Sequence, residues 1–146
     1  MPTNYLLDAG PLGLLAHNQP VRRVPIQNWL VQEMAVGSII YLAEVADYEV
    51  RRELVRLIGA GQLPASRLNR LDQLVIAFTY LLVSTAMWRR AAEFWADARQ
   101  HGAPTAGATS LDADVLIAAQ AAEVSATVVT GNTAHISRWV PVLPWP

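Results

Sequence analysis

Residues 4–11 read NYLLDAGP. The run Asn4 to Leu7 is short and apolar enough for a buried strand. Asp8, Ala9 and Gly10 then turn the chain, and Pro11 suits the first turn of a helix, where a missing N–H costs nothing. The same alternation continues outward from this unit. Gln27 to Ala35 is amphipathic, with Trp29, Leu30 and Met34 on its apolar side, and Gly37 breaks it. Ser38 to Leu42 is dense in β-branched and aromatic residues and predicts a second strand. Helices are expected over Glu44 to Gly59, ending in Gly59-Ala60-Gly61, and over Ser66 to Ala77, with a strand at Tyr80 to Val83. Thr85 to His101 predicts a helix, Gly102 to Ser110 a small-residue loop, and Leu111 to Glu123 an alanine-rich helix. A strand at Ala126 to Thr130, a turn at Gly131-Asn132 and a short last strand at Val140 to Leu143 complete the chain. Strands alternating with helices predict one domain over residues 1–146, with a parallel sheet covered on both faces.

Composition narrows the class. The chain has 146 residues, 53% of them apolar and 16% charged, enough to bury a core without disulfides. There is no cysteine, which excludes thiolate metal sites. Met1 to Asp8 lacks a basic segment and a long apolar run, so it does not read as a signal peptide. The longest apolar stretch, Leu74 to Val83 with Thr79 inside it, is far shorter than the roughly 20 residues of a bilayer span. A soluble cytoplasmic protein with no membrane association is expected. The net charge of −1 makes no global case for nucleic acid, yet all 11 basic residues are arginine, paired at Arg22-Arg23, Arg51-Arg52 and Arg89-Arg90. Arginine forks suit phosphate oxygens, although such pairs also decorate solvated helix faces. The high apolar fraction leaves surface for a homodimer or a dedicated partner.

Ligands of open parallel sheets bind beyond the carboxyl ends of the strands. Asp8 ends the first strand there, and Asn132 follows the strand ATVVT. The segment YLAEVADYEVRRE supplies Glu44, Asp47, Glu49 and Glu53, and LDADVLIAAQA supplies Asp112 and Asp114 at an expected helix start. Clustered carboxylates persist where a cation offsets their repulsion, and oxygen-only donors select Mg²⁺ or Mn²⁺. Such a centre can support phosphodiester hydrolysis. Each acid also has a structural role to fill: Asp8 as a cap or turn residue, Asp112 as a helix cap, Glu44 as a first-turn acid. Helix geometry separates the acids of the third segment. Ala46, Val50, Leu54, Leu57 and Ile58 share a face; Glu49 lies on one edge of it, Asp47 on the other, and Glu53 one turn further away. Glu49 is the choice.

The motifs YLLDAGPLGLL, AEVADYEVRREL, DADVLIAAQA and VVTGNTAHI resemble, in that order, those of the PIN domain, the nuclease fold of VapC-type toxins. The resemblance covers nearly the whole chain. It implies a three-layer α/β/α sandwich around a mainly parallel sheet of about five strands. It also implies an endoribonuclease using Mg²⁺ or Mn²⁺, with RNA as substrate and an antitoxin protein as partner. The family acids fall on Asp8, Glu49 and Asp114, with Asp112 as a further ligand or supporting acid. The fourth family position falls on Asn132, which can ligate only through its carbonyl. The family's polar residue in the first turn is replaced by Ala9 and Gly10, leaving Asp8 without that support. Those two departures favour an alternative, a PIN-like module that binds RNA or protein without cutting. A phosphatase or nucleotide-binding module is disfavoured, because Gly10-Pro11-Leu12-Gly13 is no phosphate loop. Trp29, Trp88 and Trp95 are expected in core or dimer contacts, His17 and His101 at the surface, and His135 near the rim.

Overall fold

The computed structural model describes residues 1–101 and 108–145, with side chains from residue 112 onward in the second stretch. Five strands form one sheet: β1 (Asn4–Leu7), β2 (Ile39–Ala43), β3 (Thr79–Leu81), β4 (Thr127–Thr130) and β5 (Val142–Pro144). Their order is β3-β2-β1-β4-β5, and every neighbouring pair is parallel. The helices between them are α1 (Ala9–Leu15), α2 (Pro20–Ala35), α3 (Glu44–Gly59), α4 (Ser66–Ala77), α5 (Thr85–Gln100), α6 (Ala108–Glu123) and α7 (Thr133–Ile136). This is the three-layer α/β/α sandwich expected. None of the described helices is long and apolar enough to cross a membrane.

Alternation along β1 divides the core. Leu6, in register with Val128, joins a large cluster with Leu12, Ala46, Leu54, Leu71 and Ile117. Leu7, in register with Val129, joins the second cluster with Leu15, Ile26, Leu30 and Ile40. Leu6 and Leu7 are both fully buried, so the central strand must be apolar on consecutive residues rather than alternate ones. A third cluster holds α5 to α6 through Met87, Ala91, Ala98, Val115 and Ala119, where small side chains let the helices approach. The fully buried Gln120 donates its amide to the Leu81 carbonyl at 2.7 Å, tying α6 to the β3 edge.

Several boundaries differ from expectation. Helix α2 begins at Pro20, not Gln27. Pro20 occupies the first turn, and Pro25, sixth in the helix, forfeits one bond to the carbonyl of the exposed Val21, which water can satisfy. Helix α6 begins at Ala108, not Leu111, so Asp112 is not its cap and neither Asp112 nor Asp114 lies in its first turn. Of the expected loop from Gly102 to Ser110, residues 102–107 lie outside the described residues. Strand β3 starts a residue early, at Thr79, and stops at Leu81, because Val83 donates its N–H to the Glu44 side chain instead of a ladder. Strand β5 is Val142–Pro144, with Val140 closing against the end of α7. Trp29 packs on Tyr5 and Trp145 as a core-edge residue, but Trp88 and Trp95 are 57% and 39% exposed.

Candidate functional site

The chain builds β2 and β3 on one side of β1, then β4 and β5 on the other, so β1 and β4 flank the point where strand order reverses. A crevice is expected beyond their carboxyl ends. Asp8 continues β1 there, its N–H donating to the Val129 carbonyl at 3.1 Å. It also caps α1, with one carboxylate oxygen accepting the Ala9 N–H at 2.7 Å. The other oxygen accepts the hydroxyl of Thr130 at 2.6 Å. The Thr130 oxygen in turn accepts the Asn132 N–H at 2.8 Å, and the Asn132 amide donates to both oxygens of Asp114 at 3.0 and 3.1 Å. One chain of hydrogen bonds therefore runs Asp8–Thr130–Asn132–Asp114, joining β1, β4 and α6.

Asp8, Glu49 and Asp114 line a single cavity of about 280 Å³ with Arg52, Asn132, Ala9 and Ala113. Glu49 projects from the second turn of α3 and is pushed up to about 7, first by burial, then by the charge of Asp8 and, more weakly, Asp114; Arg52 opposes the rise. Asp114 is pushed up to about 6 by burial and then by Asp8, against His135 and the Asn132 hydrogen bond. The three carboxylates thus feel one another as charges. Among the described residues, however, no three acidic or histidine side chains stand close enough to form a closed metal cage. The donor chemistry still fits a hard divalent ion: the donors are all oxygen, and burial with mutual repulsion is the penalty a cation offsets.

The remaining acids divide cleanly. Asp47 is 9% exposed and occupied: it accepts the Tyr80 hydroxyl at 2.7 Å and pairs with Arg51 at 3.1 Å. Glu44 accepts the Val83 N–H, and Glu53 pairs with Arg56. Asp112 is exposed and lies outside the carboxylate cavity, on the wall of a neighbouring groove with Trp88 and Leu116. The arginine pair splits as well. Arg51 bridges Asp47 and Asp72, whereas Arg52 lines the cavity with its guanidinium over the Tyr48 ring. His135 is half-buried and acts on Asp114 by charge.

Sequence reasoning missed Thr130. In ATVVT a threonine reads as a strand former, and only the register Leu7 with Val129 carries Thr130 alongside Asp8. That pairing supplies from β4 the support that the Ala9-Gly10 turn lacks. Gly131 has a local reason too: a Cβ there would stand 3.3 Å from the Trp145 carbonyl oxygen, so the chain leaves β4 tightly against the β5 end.

A family model described as PIN domain matches residues 5–138. Among solved structures, the chain is similar to one of VapBC2 from Rickettsia felis bound to a promoter DNA fragment. Identity is 19%, TM-score 0.72, and coverage 99% of this chain and 100% of that one. It is also similar to FitAcB from Neisseria gonorrhoeae, at 25% identity, TM-score 0.70 and coverage of 95% and 96%. VapBC-1 from nontypeable Haemophilus influenzae matches at 16% identity and TM-score 0.71, over 98% of both chains. No curated protein sequence matches.

Proposed function

The chain belongs to the PIN domain family, and from that premise we propose that it is a divalent-metal-dependent endoribonuclease. The observation that carries this reading is the convergence of Asp8, Glu49 and Asp114 on one cavity at the strand-order reversal. Those three would hold a Mg²⁺ or Mn²⁺ ion, which when bound offsets the negative charge that builds on a phosphoryl group under attack. The protein's own groups do the positioning. Ala9 and Thr130 fix the two oxygens of Asp8, and Asn132 orients Asp114. With its amide nitrogen turned to Asp114, Asn132 serves as a donor to an acid rather than as an acid itself. Arg52, at the rim, offers a fork to a phosphate oxygen. Asp112, outside that cavity, would not hold the ion.

The structures it resembles carry the names VapBC and FitAcB, and the proposed nuclease corresponds to the toxin-like member of such a pair. Its partners are then RNA, an antitoxin protein and a second copy of itself. Incubation of purified protein with single-stranded RNA tests the activity: cleavage should require Mg²⁺ or Mn²⁺ and disappear in Asp8→Asn. A second reading, a PIN-like module that binds without cutting, is favoured by Asn132 in place of an acid and by the open spacing of the triad. Mn²⁺ titration separates the two. A binding module shows no saturable site, whereas the nuclease binds Mn²⁺ in the wild type and loses it in Asp8→Asn.

A further inference from the structure

A second cavity, of about 590 Å³, adjoins the carboxylate site and shares Ala9, Glu49 and Arg52 with it. It runs between α1 and α3 toward α4, and its far end is lined by His17 and Arg67. The charges along it are not balanced. Glu53 is paired with Arg56, and Glu49 at the near end feels the charge of Arg52, which leaves Arg67 at the far end without a carboxylate partner among the described residues. The Nε of Arg67 is buried and has no hydrogen-bond partner, a costly position for a guanidinium nitrogen unless something else meets its donors.

His17 is held for donation. Its Nδ1 accepts the Gln19 N–H at 3.1 Å, which fixes the neutral tautomer with the proton on Nε2. Burial first, and then the charges of Arg67, Arg22 and Arg23, keep the imidazole below its ordinary range. On the α1 wall, Gly10 and Gly13 carry no side chain, and a Cβ at either would meet nothing within 4 Å. A bare wall facing unpaired donors leaves room for a chain with its own charge.

We propose that this groove is a phosphate subsite, in which Arg67 with His17 grips a backbone phosphate of the RNA strand whose scissile phosphate lies at the carboxylates, with Arg52 between the two. The inference rests on the nuclease reading for the identity of the strand. It concerns binding, however, and so can fail or stand separately.

The test is equilibrium binding of a single-stranded oligoribonucleotide in EDTA, where no cleavage occurs, across a salt series. Arg67→Gln should weaken binding about tenfold at low salt, the loss of one charge-assisted contact. It should also flatten the slope of log K against log salt by about 0.7, one phosphate contact on a single strand. Arg67→Lys should restore the slope but not all of the affinity, since an ammonium has the charge without the fork. Arg90→Gln, on an arginine paired with Glu123 away from the groove, should leave both unchanged. With the protein unaltered, a neutral methylphosphonate at one position of the RNA should reproduce the loss, and the same RNA should lose nothing more with Arg67→Gln.

A wild-type slope and affinity in folded Arg67→Gln overturn the subsite, even if the protein cleaves RNA. An Arg67-dependent slope in a protein that cuts nothing keeps the subsite and overturns the nuclease reading. A wild-type protein that neither binds nor cuts RNA overturns both.

Discussion

Two acids two residues apart on α3 have opposite fates, and the difference is one of partners. Asp47 is closed off by Tyr80 and Arg51, while Glu49 faces other carboxylates. Helix geometry in the sequence could set them on opposite edges of the apolar face, but not say which edge met a tyrosine. Thr130 was less legible still, because its role exists only once β4 lies beside β1. Thr130→Val is expected to lower cleavage and Mn²⁺ affinity by about 10- to 100-fold, the usual cost of removing a group that orients a ligand. Thr130→Ser should recover most of both; equal loss in the two variants would make the hydroxyl irrelevant. The raised acids also set a pH dependence. Glu49 has an ordinary value of 4.5 and stands at about 7 when folded, with Asp114 raised in the same direction. Between those values the folded protein holds more protons than the unfolded chain, so metal-free stability falls as pH rises through this window. Urea midpoints measured from pH 4.5 to 7.5 should decline in the wild type, and decline less in Glu49→Gln.

At the scale of elements, the sequence carried the strands and most helices because their signals are local. Helix α3 has the expected bounds Glu44–Gly59: the chain turns at its end through Gly61, with φ +74°. Helix α2 extends seven residues before the expected start, with Pro20 in its first turn and the bond lost at Pro25 falling on an exposed carbonyl, which nothing local in the sequence reveals. The start of α6 was misplaced by Asp112, which has the chemistry of a cap and the position of a mid-helix residue. Apolar packing places α6, and therefore Asp114, together with Gln120, a buried polar residue whose partner lies 39 positions away. The Asp47 network joins α3 to β3 and, through Arg51 and Asp72, to α4. Tyr80→Phe removes a donor from a buried carboxylate and should cost about 1–2 kcal/mol in urea unfolding. RNA cleavage by the folded variant should stay near wild type. A large loss of cleavage at wild-type stability would place Asp47, rather than Glu49, in the site.

For the whole molecule, the order β3-β2-β1-β4-β5 decides where chemistry can sit, since it brings the ends of β1 and β4 together with α3 and α6 around them. The fold class was legible because alternation of strands and helices is a property of the entire chain. The exposure of Trp88 and Trp95 on α5 was not, since an apolar helix residue looks the same in sequence whether it meets its own core or another surface. We expect a second copy to cover that face: sedimentation should show a dimer, and Trp88→Glu should shift it toward monomer. A wild-type monomer at all concentrations would refute this.

The proposed metal-dependent ribonuclease centre of Asp8, Glu49 and Asp114 stands or falls on RNA cleavage. Its most direct test is cleavage of a single-stranded RNA by purified wild-type, Asp8→Asn, Glu49→Gln and Asp114→Asn proteins, with Mn²⁺ and with EDTA. Only the wild type should cut, and only with Mn²⁺. Cutting that persists in EDTA, or in any of the three folded variants at the wild-type rate, would contradict it, as would a wild-type protein inert toward RNA in Mn²⁺.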